Sequence, residues 1–128
     1  MTEFHTPRQL IGPSARHGTK TWKAERWSSV ILIPLGLWGL WAGFNLAGQG
    51  AEHAAEWIRQ PLNAGLLLLT LAISLWHMVL GMRVVIEDYL HGPTGPLTLR
   101  LNTLLGWLLF LVAAACLIAA VAGIELGA

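Results

Sequence analysis

A chain of 128 residues that is 55% hydrophobic and only 12% charged has about half the charge of an ordinary soluble domain, where roughly 25% of residues are charged; its length provides for one domain. A net charge of +1 without a basic stripe excludes a nucleic-acid binder, and a single cysteine, Cys116, excludes an intrachain disulfide. The charge is absent from three long intervals, residues 28–49, 61–82 and 101–124, each long enough to cross a bilayer as a helix, which takes about 20 residues. The expected fold is therefore all-α: an integral membrane protein with three transmembrane helices over about 28–47, 61–87 and 100–124, preceded by an arm over residues 1–27.

The arm is polar and broken by Pro7, Gly12, Pro13 and Gly18. It shows no cleavable signal pattern, so the first apolar run is expected to act as its own insertion signal. Trp22 and Trp27 flank Lys23, Glu25 and Arg26, a mixture that suits the headgroup level; the segment either lies on the membrane or begins the first helix early. Inside the first span, Pro34 removes one hydrogen bond. Gly36, Gly39 and Gly43 offer a small-residue seam for a neighbouring helix, or are ordinary membrane glycines.

Residues 48–60 form a polar connection in which residues 51–59 suit a short surface helix with Trp57 at the second interface, and Pro61 suits the first turn of the next helix. The second span follows to residue 87, and Gly92, Pro93, Gly95 and Pro96 are expected to force a loop. The third span carries Ala115, Ala119 and Gly123 at intervals of four, a second candidate seam. Of eight Lys and Arg in the chain, Arg8, Arg16, Lys20, Lys23, Arg26, Arg83 and Arg100 fall on one side of the membrane and Arg59 alone on the other. The positive-inside rule then puts the N-terminus in the cytoplasm and the C-terminus outside.

His77 lies deep within the second uncharged run, where an ionisable group is a functional-site hypothesis by default. Three readings are open for it: a metal ligand, a proton-relay group, or a core histidine satisfied by a helix carbonyl. Metal ligation suits haem iron in particular, because a flat macrocycle can lie between helices. Gly81, one turn on, either leaves room for a porphyrin edge or serves helix packing. His77 and Asp88 are eleven residues apart, close to three turns, and so share a helix face with Thr70, Ser74 and Val84. No other histidine falls within a span, so an iron with two axial imidazoles would need a second copy of this chain or a different membrane partner.

Glu87, Asp88 and Tyr89 end the second span at the cytoplasmic headgroups. There a phenol can donate to a quinone carbonyl and a neighbouring carboxylate can orient it or pass protons; the alternative is a solvated cap with an interfacial tyrosine. Arg26 and Arg83, expected at the same depth, suit haem propionates or a quinone headgroup, and otherwise simply anchor the helices. The chain has no dinucleotide fingerprint, phosphate loop or cysteine cluster, so it does no redox chemistry unaided.

The run HMVLGMRVVIEDYLH at residues 77–91 resembles the histidine, glycine and Glu-Asp-Tyr pattern of the small hydrophobic membrane anchors of bacterial succinate dehydrogenase. RWSSVILIPL at residues 26–35 is similar to the opening of that family's first helix. The resemblance implies that His77 is an axial ligand of haem b, with the opposite histidine on a larger anchor subunit, and that Tyr89 and Asp88 belong to the ubiquinone site. It further implies an iron–sulfur subunit and a flavoprotein as partners that carry the clusters and FAD, a helical bundle completed by the second anchor, and a place in the bacterial inner membrane with the C-terminus periplasmic. A fumarate reductase anchor using menaquinone and a cofactor-free structural subunit are the competing expectations.

Overall fold

The structure is a computed structural model that describes residues 13–123, with side chains from residue 19 onward. Four helices follow one another: α1 (Pro13–Leu46), α2 (Gly50–Arg59), α3 (Pro61–Tyr89) and α4 (Thr94–Ala122), with no strand among the described residues. The arm residues His5 and Arg8, the side chains of Arg16 and His17, and the expected end of the last helix beyond residue 123 lie outside what is described.

Three of the helices are long and apolar enough to span a membrane: residues 19–46 of α1, and α3 and α4 at 29 residues each. At 1.5 Å per residue a 29-residue helix extends about 43 Å, which exceeds the roughly 30 Å hydrocarbon core and carries both ends into the headgroups.

Two boundaries differ from the sequence expectation. The first helix does not start near residue 28 but runs unbroken from Pro13 through Pro34. Proline is well placed at a helix start because its missing N–H would have no partner there. The segment around Trp22 continues the helix, with the Arg26 guanidinium 4.7 Å from the centre of the Trp22 ring one turn back. The last helix starts at Thr94 and includes Gly95 and Pro96, since the first four N–H groups of a helix lack intrahelical acceptors and a proline among them breaks nothing. The loop thus shrinks to the residues around Gly92, whose φ of +93° is left-handed and favours glycine.

α3 lies in the middle. It packs against α1 on one side and α4 on the other, while α1 and α4 do not meet, and α2 sits across the end where α3 begins, against all three. In this open layer the buried apolar residues are few: Leu35, Ala42, Ile86 and Ala119. The helix faces turned outward carry large apolar side chains such as Ile33, Leu37, Leu40, Leu104, Leu108 and Leu111. Such surface is stable only against lipid or another apolar helix.

A side-chain hydrogen bond joins the long helices on each flank of α3. Ser28 Oγ meets His77 Nδ1 at 2.8 Å, and Asn102 Nδ2 donates to Val79 O at 2.9 Å. Thr70 and Thr103 in the spans return their hydroxyls to their own helix, to Leu66 O and Leu99 O, the usual resolution where water is absent. One turn beyond Asn102, Gly106 brings the α4 backbone against the Val79 side chain so closely that a Cβ there would overlap it. Neither expected seam plays that part. A Cβ at Gly36, Gly39 or Gly43 would meet nothing in this chain, and of the α4 positions Ala119 is buried while Ala115 is exposed.

Candidate functional site

The α1–α3 contact follows from a stripe on α1. Ser28, Leu35 and Ala42, seven residues apart and so two turns from one to the next, are buried at 0%, 8% and 4% exposure. Ser28 heads the stripe and meets His77. Its hydroxyl also lies 2.8 Å from Glu25 O, which receives the Ser29 hydroxyl as well at 2.9 Å. On a helix running from residue 61 to 89, His77 sits about 24 Å from one end and about 18 Å from the other, near mid-span.

His77 is half-buried. Its Nδ1 is engaged by Ser28, and its Nε2 has no hydrogen-bond partner among the described residues. The expectation of a histidine satisfied by a helix carbonyl is thus replaced by a longer link, imidazole to hydroxyl to carbonyl. No group of three or more His, Cys, Asp or Glu among the described residues could cage a metal ion. One imidazole with a free nitrogen fits instead a metal whose other positions are filled by a macrocycle and by a ligand from another chain.

Gly81 lies one turn toward the Tyr89 end of α3, where a Cβ would come within 3.8 Å of Glu25 Oε1. That is ordinary contact, so the glycine is not demanded by α1; the space at Gly81 is bounded on this side by a half-buried carboxylate. Glu25 is not legible as a site residue from the sequence, where its one signal is its place three residues before Ser28.

The residues at the end of α3 stand apart from this crossing. Tyr89 is 80% exposed, Asp88 is exposed, and neither side chain hydrogen-bonds to another described residue. Arg83 forms an ion pair with Glu87 at 2.8 Å on the same helix, and Arg26 stacks on Trp22. The structure therefore brings His77 together with Ser28, Glu25 and Gly81, but does not bring Arg26, Arg83, Asp88 and Tyr89 into mutual polar contact. What the tyrosine has is access: the helix ends at Leu90, whose N–H bonds to Ile86 O, and buried Ile86 fixes that last turn against its neighbours. On the opposite flank of α3 an apolar groove of about 470 Å³ is lined by Trp76, Val79, Arg83, Trp107 and Phe110 among others; neither His77 nor Tyr89 borders it.

Comparison with known proteins adds a family to this geometry. Residues 3–122 match the model of a family described as the succinate dehydrogenase/fumarate reductase transmembrane subunit. The chain is 36% identical over 78 residues to the succinate dehydrogenase hydrophobic membrane anchor subunit of Rickettsia typhi, covering 61% of this chain and 62% of that one. It is 38% identical over 79 residues to the subunit of the same name from Rickettsia bellii, covering 60% and 62%. The succinate dehydrogenase membrane anchor subunit of Reclinomonas americana is 29% identical over 80 residues, covering 60% and 67%. The matched part thus spans a little under two thirds of the Rickettsia relatives' length. No solved structure matches the chain.

Proposed function

Because the chain belongs to the succinate dehydrogenase/fumarate reductase transmembrane subunit family, we propose that it is the membrane anchor of a respiratory succinate:ubiquinone oxidoreductase, in which His77 co-ligates haem b and Tyr89 and Asp88 contribute to the ubiquinone site. The single observation that carries the haem reading is His77 itself: a mid-span imidazole held through Nδ1 by a buried hydroxyl, with Nε2 left over. A buried polar group in an apolar span is costly unless it is paired, and ligation would satisfy the second nitrogen as Ser28 satisfies the first.

In this reading the second anchor subunit would supply the other histidine that holds the haem, because the spans of this chain contain no histidine besides His77. Its helices cover the outward faces of α1 and α4 that find no partner within this chain. Bound haem b would supply a one-electron site between the helices. The chain's own residues hold and orient: His77 fixes the ring's position, Gly81 keeps side-chain bulk away from it, and Arg26 and Arg83 are the cations within reach of propionates or a quinone headgroup. The Arg26–Trp22 stack and the exposed Arg83–Glu87 pair are each worth only about 1 kcal/mol or less, so either guanidinium can exchange its present partner for a carboxylate. At the helix exit the Tyr89 hydroxyl would donate to a quinone carbonyl, and Asp88 beside it would pass protons as the quinone takes up two electrons from the iron–sulfur subunit and two protons from the cytoplasmic side.

An iron–sulfur subunit and a flavoprotein complete the complex on that side, in the bacterial inner membrane. The family description names fumarate reductase too; the names of the relatives favour the succinate dehydrogenase reading. The test is the reduced-minus-oxidised spectrum of the detergent-purified complex. Wild type is expected to show the bands of a low-spin b-type haem, and His77→Ala to lose most of them at unchanged subunit composition. Full haem content in His77→Ala would overturn the ligand assignment, and a wild-type complex without haem would favour a purely structural anchor.

A further inference from the structure

We propose that Ser28 is the positioning residue of His77, accepting the Nδ1–H and so holding the imidazole in the tautomer whose lone pair is on Nε2; the inference rests on the haem-ligand reading above. A serine hydroxyl has one proton and two lone pairs. Ser28 Oγ lies 2.8 Å from Glu25 O, a group that can only accept, so the hydroxyl proton goes there. At the other contact, also 2.8 Å, Oγ offers a lone pair, and the contact is a hydrogen bond when Nδ1 carries the imidazole proton. A neutral imidazole has a single N–H, and Nε2 is then bare.

Metal-ligating histidines commonly donate their second N–H to a carboxylate, a carbonyl or water, which fixes the tautomer and raises ligand basicity. Here the same task is done in two steps, Nδ1–H to the Ser28 oxygen and the Ser28 proton to the Glu25 carbonyl. Ser28 is 0% exposed, so water does not compete for either bond, and each is stronger for being dry. The reverse arrangement, with Ser28 donating to Nδ1, would leave Nε2 protonated and closed to a metal. The second nitrogen therefore depends on where one hydroxyl proton points, and the Glu25 carbonyl is what directs it.

The experiment is potentiometric titration and ferric-haem electron paramagnetic resonance on the purified complex for wild type, Ser28→Ala, Ser28→Thr and His77→Ala. Ser28→Ala is expected to keep haem within about twofold of wild type, since the ligand remains, while weakening the preference of the site for ferric over ferrous iron by about three- to tenfold. That is a rise in midpoint potential of roughly 30 to 59 mV for a one-electron couple, together with a shift in the ferric g values. Ser28→Thr, which keeps the hydroxyl, is expected to restore both. Should Ser28→Ala fail to assemble, Ser28→Cys keeps the volume with a poor acceptor, and the same shifts are expected of it. Unshifted potential and g values in the variant lacking the hydroxyl, with haem lost in His77→Ala, would overturn the positioning role and leave the ligand standing. Retention of the wild-type spectrum in His77→Ala would overturn the ligand and this inference together.

Discussion

At the scale of single residues, the proposed site divides into a buried half and an exposed half with different sensitivities. Ser28 and His77 form one polar contact in an apolar crossing, where removing Ser28 leaves the His77 Nδ1 without its partner, while Ser28 keeps its bond to Glu25 O if His77 is removed. Tyr89, at 80% exposure, holds nothing in place within this chain, so its removal should be felt in chemistry rather than in assembly. Tyr89→Phe is expected to lower succinate-driven quinone reduction by on the order of tenfold, as loss of a hydrogen bond of about 1.4 kcal/mol in the transition state would, while succinate-driven reduction of a soluble dye stays near wild type. Parallel assays of the two activities check this, and equal loss of both would indicate failed assembly. Arg83→Ala removes an exposed ion pair of a kind worth about 0–1 kcal/mol. It is expected to leave the melting temperature of the complex unchanged within error, so any loss of quinone reductase activity in that variant reports a headgroup contact.

At the scale of elements, α3 is held on its two flanks by different means. Against α1 the contact is a hydrogen bond at the head of a stripe of small and medium side chains. Against α4 it is backbone proximity: Gly106 admits Val79, and Asn102 bonds the Val79 carbonyl one turn away. Val79 is β-branched and has little freedom to rotate aside. Gly106→Ala should therefore destabilise by about 1–3 kcal/mol through overpacking. Asn102→Leu should cost about 0.6–2 kcal/mol, the range found for interhelical hydrogen bonds in membranes. Denaturant titration of the detergent-solubilised complex measures both, and because the two residues share one partner the double variant should fall short of the sum.

At the scale of the whole molecule, three spans form an open layer in which the outer two do not touch. In the proposed reading one chain provides one imidazole and an incomplete wall, and both would be completed from outside it. The proposed topology places the turn between α3 and α4 in the cytoplasm and α2 on the opposite face. In a Cys116→Ser background, Glu52→Cys is expected to react with a membrane-impermeant maleimide in intact cells and Thr94→Cys only after permeabilisation. The opposite pattern would invert the proposed orientation and put Tyr89 on the wrong face for a cytoplasmic electron donor.

How far the sequence reaches differs along the chain for identifiable reasons. Absence of charge over three intervals forces three helices, because an unpaired backbone in lipid is too costly for any other open structure; that much required no coordinates. The lone mid-span histidine and the Glu-Asp-Tyr exit were equally visible, since each breaks an apolar pattern. The helix starts at Pro13 and Thr94 were not, because prolines and glycines that break an interior are harmless in a first turn. The pairing of Ser28 with His77 and of Gly106 with Val79 was hidden for a different cause. Forty-nine residues separate the first pair, and which positions on two antiparallel helices share a depth and a face depends on how the helices slide and rotate against each other. Absence of charge sets the three spans, but only their packing decides which hydroxyl reaches the imidazole.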